Sequence, residues 1–285
     1  MNAVKFAVIA LLSTLLFVGL VVVFYKTEHN KETFELGRAL YPTVTIQYAG
    51  YGGGSGTCIY KEMNGDNMEM YFLTANHVAD FSMYRQYFSP ILPYFYPLYQ
   101  TSKPTPVREA IEIPKKPPLV VSGWFYDENG NAKQTSPVIG TVYKSWDNID
   151  TAIVKVVLDP KCKIANLPVA KIEDLNVFKK MLPGKKVVMS GCPYLLPALI
   201  SDGHLARKSF GKKGEIPPSL DNVCLVRVNI AGGASGGGIY NFKTMKLIGL
   251  VSIGWGRNAF ICGMIPISDI IPKLRKTYLG QKLGL

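Results

Sequence analysis

Gly233-Ala234-Ser235-Gly236-Gly237 surrounds one serine with four residues that carry little or no side chain. Small neighbours let the backbone turn sharply, expose the hydroxyl and aim nearby N–H groups at one point where an oxyanion can develop. A tight glycine hairpin in a β protein has the same composition, so the pentad needs company before it means anything. It also fits G-x-S-x-G, the strand-to-helix elbow of open α/β sheets, whose serine is followed first by an acid and then by a histidine. The histidines of this chain are His29, His77 and His204, and none follows Ser235. That order removes the α/β elbow and sends the search for partners upstream.

An acid, histidine, serine order would need Asp66, which sits in the turn-like Asn64-Gly65-Asp66-Asn67. The order histidine, acid, serine remains. His77 lies in Phe72-Leu73-Thr74-Ala75-Asn76-His77-Val78, where an apolar strand gives way to a turn, a rigid edge suited to a general base. His29 and His204 have no apolar strand to fix them; His204 follows Asp202-Gly203 and reads as loop. Asp150 opens the apolar run Thr151-Ala152-Ile153-Val154. A carboxylate at such a boundary either bonds its local backbone or meets a cationic partner such as a protonated imidazole.

Outward from these residues the chain reads as short β-branched and aromatic runs separated by Gly, Pro and Asn, at 43–48, 68–74, 138–143, 151–158, 186–190, 223–230, 246–253 and 259–265. Alternation such as Val44, Ile46, Tyr48 predicts half-buried strands. Helical periodicity is confined to the N-terminal segment and a stretch near 268–278. Many short strands with frequent turn residues predict an all-β barrel or sandwich. With 285 residues, 48% hydrophobic and 18% charged, the chain has length for one or two domains and is too apolar for a disordered one.

Residues 6–25 carry no charge, and twenty residues at about 1.5 Å each cross a hydrocarbon core of about 30 Å. The run is longer than a signal peptide's apolar region and passes directly into Lys26, which predicts an uncleaved anchor over 1–25 and a polar linker over 26–38. Lys5 precedes it and Lys26, Lys31 and Arg38 follow, so the charge count does not settle the side; the non-cytoplasmic side is the expectation for the remainder. A second departure from the strand rhythm is 83–118, dense in Tyr, Phe and Pro. Proline cannot serve in a central strand, so this segment reads as an irregular insertion, either packed loop or membrane-interface contact.

Taken in order, Gly54-Ser55-Gly56-Thr57, Leu73-Thr74-Ala75-Asn76-His77-Val78, Asp150-Thr151-Ala152-Ile153-Val154-Lys155 and the serine pentad resemble the four successive motifs of trypsin-like serine proteases, and are most similar to the HtrA/Deg branch. The resemblance covers about residues 40–275 and implies two packed six-stranded antiparallel β-barrels, a protease domain over 39–285 and a short C-terminal helix. It implies that Ser235 is the nucleophile, His77 the general base and then acid, and Asp150 the residue orienting His77. The N–H groups of Gly233 and Ser235 would form the oxyanion hole. Ser252, Ile253 and Gly254 would pair with an extended substrate, and Asn229, Ile230 and Gly263 would shape the primary pocket. None of these is acidic, so a small or medium apolar side chain is the expected preference. The implied function is a membrane-anchored serine endopeptidase acting on protein or peptide, without cofactor or metal, and with homo-oligomerisation left open.

The chain departs from the branch in three ways. Only 50 residues follow Ser235, which leaves no room there for the PDZ domain of HtrA proteins. The interval from His77 to Asp150 is stretched by the 83–118 insertion, and Val78 stands where secreted digestive trypsins carry a cysteine. Five cysteines, an odd number without a C-x-x-C pair, predict neither a zinc site nor a need for an oxidising compartment.

Rival readings stay open at this point. A protease-like scaffold that binds without turnover would keep the same residues. Gly50-Tyr51-Gly52-Gly53-Gly54-Ser55-Gly56 suggests a phosphate loop but lacks the Gly-Lys-Ser/Thr that should follow. The net charge of +12 comes without a nucleic-acid-binding motif, so no nucleic acid is expected, and lysines scattered over a solvated surface give the same sum.

Overall fold

The computed structural model describes residues 42–49, 52–82, 117–127, 129, 131–208, 223–254 and 258–285. The apolar run 6–25, the linker 26–38 and the insertion as far as residue 116 lie outside the described residues. Among the described residues, no helix is long and apolar enough to cross a membrane.

The first sheet is built from β1 (Thr43–Tyr48), β2 (Gly52–Asn64), β3 (Asn67–Ala75), β4 (Leu119–Tyr126), β6 (Val138–Trp146) and β7 (Thr151–Leu158). The order β1-β2-β3-β7-β6-β4, with β4 pairing back onto β1, closes six antiparallel strands into a barrel, and β5 (Ala132–Gln134) extends β4. Val44, Ile46, Phe72, Val121 and Val154 fill its interior. The second barrel is closed in the order β10-β15-β13-β12-β8-β9. Its strands are β8 (Lys186–Gly191), β9 (Leu199–Arg207), β10 (Cys224–Arg227), β12 (Gly238–Asn241), β13 (Lys246–Gly254) and β15 (Cys262–Pro266), around Val187, Leu205, Val226, Ile239 and Ile248. A two-stranded pair, β11 (Ile230–Ala231) and β14 (Asn258–Ala259), stands beside it. The fold is all-β with two six-stranded barrels.

The alternation of Val44, Ile46 and Tyr48 marks the side chains of β1 that enter the first barrel, but β1 is not half-buried. Thr43 and Thr45, on its other face, are each only 1% exposed. The second barrel covers them, and the Thr43 hydroxyl bonds that of Ser190 on β8 at 2.7 Å. Two expected strands are also broken. The run 223–230 splits at Val228 and Asn229, and 259–265 splits at Phe260 and Ile261, because β11 and β14 leave the barrel to pair with each other. The C-terminal stretch forms two short helices, Ile267–Leu274 and Tyr278–Lys282, and Thr277 caps the second by accepting the Gly280 N–H at 3.2 Å.

The connection between barrels is pinned by a buried acid. Glu173, 2% exposed, accepts the Asn241 amide at 2.8 Å and the Thr244 hydroxyl, with the Lys246 ammonium 3.8 Å away. All five cysteines are free, and only Cys162 is not fully buried. Burial pushes the Cys58 and Cys262 thiols up to about 12.

Candidate active site

β3 ends at Ala75 and the chain turns at once into the four-residue helix Asn76–Ala79. His77 lies on this turn with 33% of its side chain exposed. The Tyr48 hydroxyl donates to the Ala79 carbonyl at 2.6 Å and its ring packs on Phe81, fixing the turn to the first barrel. Asp150 arrives from the neighbouring strand, between the 3-10 turn Asp147–Ile149 and β7. Its backbone is left-handed, at φ 46° and ψ 44°, a conformation that costs about 1–2 kcal/mol in most residues and is best tolerated by Asn, Asp and Gly. Neighbouring bonds hold it there: the Asn76 N–H donates to the Asp150 carbonyl at 2.9 Å and the Asn76 amide to the Asp147 carboxylate at 2.9 Å.

The Asp150 carboxylate receives the His77 backbone N–H at 3.0 Å, and the ring Nδ1 lies 3.1 and 3.0 Å from its two oxygens. An ionised carboxylate only accepts, which assigns the proton to Nδ1 and leaves Nε2 with the free lone pair in the neutral ring. The Ser252 hydroxyl donates to the second oxygen of Asp150. Burial pushes the Asp150 carboxyl up, but the His77 ring, the Ser252 hydroxyl and the His77 N–H outweigh it and hold the group below its usual range.

The serine pentad forms a tight turn before β12. Gly233 and Gly236 have φ of +94° and +83°, where only glycine is free of strain. A Cβ on Gly236 would fall 2.2 Å from the Ser55 carbonyl oxygen. The turn is tied on several sides. The Gly236 N–H donates to Val251 O at 2.7 Å and the Ser55 N–H to Ser235 O at 2.7 Å. The Tyr194 N–H donates to Gly232 O at 2.5 Å. The Ser55 hydroxyl donates to Gly233 O at 2.7 Å. Among the described residues, the N–H groups of Gly233 and Ser235 donate to no protein acceptor. Gly54 brings the two turns together, since a Cβ there would lie 2.6 Å from both Ser235 O and a Val78 methyl.

The Ser235 hydroxyl donates to the Ser252 carbonyl at 3.1 Å, and no hydrogen bond joins it to the His77 ring. Ser252 therefore touches both halves of the site, Asp150 through its hydroxyl and Ser235 through its carbonyl. It does so because the pairing of β13 with β15 shifts between Val251 and Ile253, leaving Ser252 as the extra residue. The family resemblance marks Ser252 as an edge for substrate; its bond to Asp150 has no signal in the sequence beyond a hydroxyl closing the apolar run Leu247-Ile248-Gly249-Leu250-Val251.

Of the other candidates, Ile253 is half-buried and Gly254 exposed at the end of β13, while Gly263 is buried on β15 opposite Ile253. Ile230 is half-buried on β11, and exposed Asn229 donates its N–H to the Ser201 hydroxyl at 3.1 Å. His204 is not in a loop. It is an exposed residue of β9, and the Asp202-Gly203 pair that reads as a turn is strand, with glycine required because a Cβ at 203 would meet Arg227 O at 1.8 Å. Tyr194 and Leu195, both left-handed at φ 53° and 58°, form a contact with the serine turn that no sequence pattern announces. Among the described residues, no group of three or more His, Cys, Asp or Glu could hold a metal ion.

The sequence pattern of the trypsin-like peptidase domain matches residues 54–250. No match was found among curated proteins. The fold is shared with solved HtrA-type structures. One is the HtrA-type protease AlgW with a decapeptide, 14% identical, TM-score 0.55, over 88% of this chain and 67% of that one. Another is Deg5, 16% identical, TM-score 0.52, over 86% and 93%. A third is the inactive form of a mutant Rv3671c from M. tuberculosis H37Rv, 15% identical, TM-score 0.51, over 85% and 89%. The chain spans 64% of the length of the AlgW chain solved with a tripeptide.

Proposed function

The chain belongs to the trypsin-like peptidase family, and on that footing we propose that it is a membrane-anchored serine endopeptidase working through Ser235, His77 and Asp150. The observation that carries this reading is the Asp150 carboxylate, which receives both N–H groups of His77 and, through Ser252, adjoins the Ser235 turn. In the proposed reaction the Ser235 hydroxyl leaves the Ser252 carbonyl and gives its proton to His77 Nε2 as Oγ attacks the scissile carbonyl carbon. Catalytic hydrogen bonds commonly tighten in this way only when substrate is bound. The oxyanion accepts the unengaged N–H groups of Gly233 and Ser235. Collapse breaks the C–N bond, His77 returns the proton to the leaving amine, and water then cleaves the Ser235 ester by the same steps.

A peptide would add as a strand to the exposed end of β13 at Ser252, Ile253 and Gly254. Residues 6–25 would hold the enzyme in a membrane, with the protease domain on the non-cytoplasmic side. Full-length protein in detergent should react with a fluorophosphonate probe, and Ser235→Ala should abolish labelling without lowering the melting temperature. Folded wild-type protein that fails to label would overturn the assignment.

One observation favours a second reading. The Ser235 hydroxyl rests on the Ser252 carbonyl and off the His77 ring, as it would in a scaffold that binds peptides without turning them over. The same labelling experiment separates the two.

A further inference from the structure

Ser55 belongs to the first barrel, yet two of its bonds go to the turn that carries Ser235. It lies on β2 and is fully buried. Its N–H donates to Ser235 O at 2.7 Å. Its hydroxyl donates to Gly233 O at 2.7 Å and accepts the Cys192 N–H at 2.7 Å. Its own carbonyl accepts the Thr74 hydroxyl at 2.7 Å, three residues before His77. We propose that Ser55 is a positioning residue for the oxyanion site, holding the Gly233–Ala234 and Ser235–Gly236 peptide planes that flank the Gly233 and Ser235 N–H groups. The proposal rests on reading Ser235 as the nucleophile.

The argument is one of peptide planes. A serine hydroxyl has one proton, and with the Cys192 N–H occupying an acceptor position, that proton is committed to Gly233 O. This bond fixes the plane between Gly233 and Ala234. The plane before it, between Gly232 and Gly233, is fixed by the Tyr194 N–H on Gly232 O. In a trans peptide the N–H points opposite to the C=O, so the Gly233 N–H is directed away from Tyr194. Between the two planes stands Gly233 at φ +94°, with no side chain to resist rotation. Its orientation is therefore set by what grips the flanking carbonyls. Removing the Ser55 hydroxyl leaves Gly233 O and the buried Cys192 N–H without their partner, and turning the Gly233–Ala234 plane lets Gly233 O seek another donor. That turn frees the chain on the C-terminal side of Gly233 and leaves the Gly232–Gly233 plane, with the Gly233 N–H, to the Tyr194 bond, so that it can swing about the φ of a residue without a side chain.

The test compares wild type, Ser55→Ala, and Ser55→Cys, which keeps a weaker donor of similar size. The first readout is the rate of fluorophosphonate labelling, whose tetrahedral adduct uses the same N–H groups. The second is kcat and KM on a fluorogenic peptide with valine at the cleaved position, normalised to titrated active sites. Ser55→Ala should slow labelling and lower kcat about 100-fold, the range for losing one oxyanion donor, with KM within about 3-fold of wild type. Ser55→Cys should fall between. Labelling should still reach completion at Ser235, which keeps this test distinct from that of the nucleophile. Labelling of Ser55→Ala at the wild-type rate would overturn the proposal. So would a loss confined to KM, or one accounted for by the unfolded fraction in a thermal melt. Should Ser55→Ala not fold, Ser55→Cys decides alone: a kcat equal to wild type sinks the idea and a depressed kcat at unchanged KM sustains it.

Discussion

Asp150 holds His77 by two different groups of the same residue, the backbone N–H at 3.0 Å and the ring Nδ1 at 3.0 Å. One carboxylate thus fixes both the main chain of the helical turn and the orientation of the imidazole it carries. The arrangement needs Asp150 in its left-handed conformation, which the turn at Asp147 and the Asn76 bonds supply. The strain sits on the residue proposed to orient the imidazole, and strained backbone of this kind clusters at functional sites.

Asp150→Asn should keep this shape and lose the chemistry. An amide placed against His77 presents N–H as well as C=O, so the ring no longer has to carry its proton on Nδ1. We expect kcat to fall about 10⁴-fold. Steady-state rates on the valine peptide, with circular dichroism as the control for folding, measure this. A loss under about 10-fold would show that the Asp150 contact is structural only.

Glu69 makes a prediction about acid stability. The bond from Lys155, followed by those from Asn64 and Tyr71, holds its carboxyl down at about 2 from an ordinary 4.5. A depressed carboxylate stabilises the fold fully above its unfolded pKa, and the contribution is lost as pH falls through the folded value. The difference in melting temperature between wild type and Glu69→Gln should therefore be greatest above about pH 4.5 and shrink towards pH 2, worth about 1–3 kcal/mol at its largest. An equal gap at every pH would contradict the assignment.

Gly236→Ala and Gly65→Ala are a matched pair, since both replace a glycine at positive φ. At Gly65 a Cβ meets nothing within 4 Å, and only the backbone term of about 1 kcal/mol is expected. At Gly236 it overlaps the Ser55 carbonyl oxygen, so the cost should exceed about 3 kcal/mol and labelling of Ser235 should fail. Denaturant unfolding of both proteins gives the comparison; similar stabilities would mean that the serine turn is looser than its contacts indicate.

Glu173→Ala should leave the Asn241 and Thr244 donors facing an empty buried site and cost about 3 kcal/mol. Labelling at a temperature well below the transition should keep its wild-type rate, because the acid lies in the connection between barrels. A slower rate there would mean that this connection reports to the site.

The parts of the site legible in sequence are those where a polar residue interrupts an apolar strand or a glycine cluster. Asp150, His77 and Ser235 meet that description, and the absence of histidine after Ser235 orders them. Ser252 is expected from the family resemblance as a substrate edge, but its bond to Asp150 escaped because it depends on a register shift in β13, which alternation of side chains cannot reveal. Tyr194 and Leu195 escaped for a related reason, since ordinary residues in left-handed backbone leave no compositional trace. The error at His204 came from treating Asp202-Gly203 as a turn, when the glycine answers to the close approach of Arg227 across the sheet.

Closure of both sheets bears on how the chain avoids its own kind. A strand paired on both sides offers no template for another, and unpaired edges are what drive strand-mediated aggregation. Among the described residues, β6 at Thr141–Trp146, β2 at Tyr60–Asn64 and β9 at Leu199–Gly203 run past their partner on one side. Lys144 on the first, Lys61 and Glu62 on the second and Asp202 on the third put charge on these overhangs, which should keep concentrated protein from assembling edge to edge while the end of β13 stays open to a peptide.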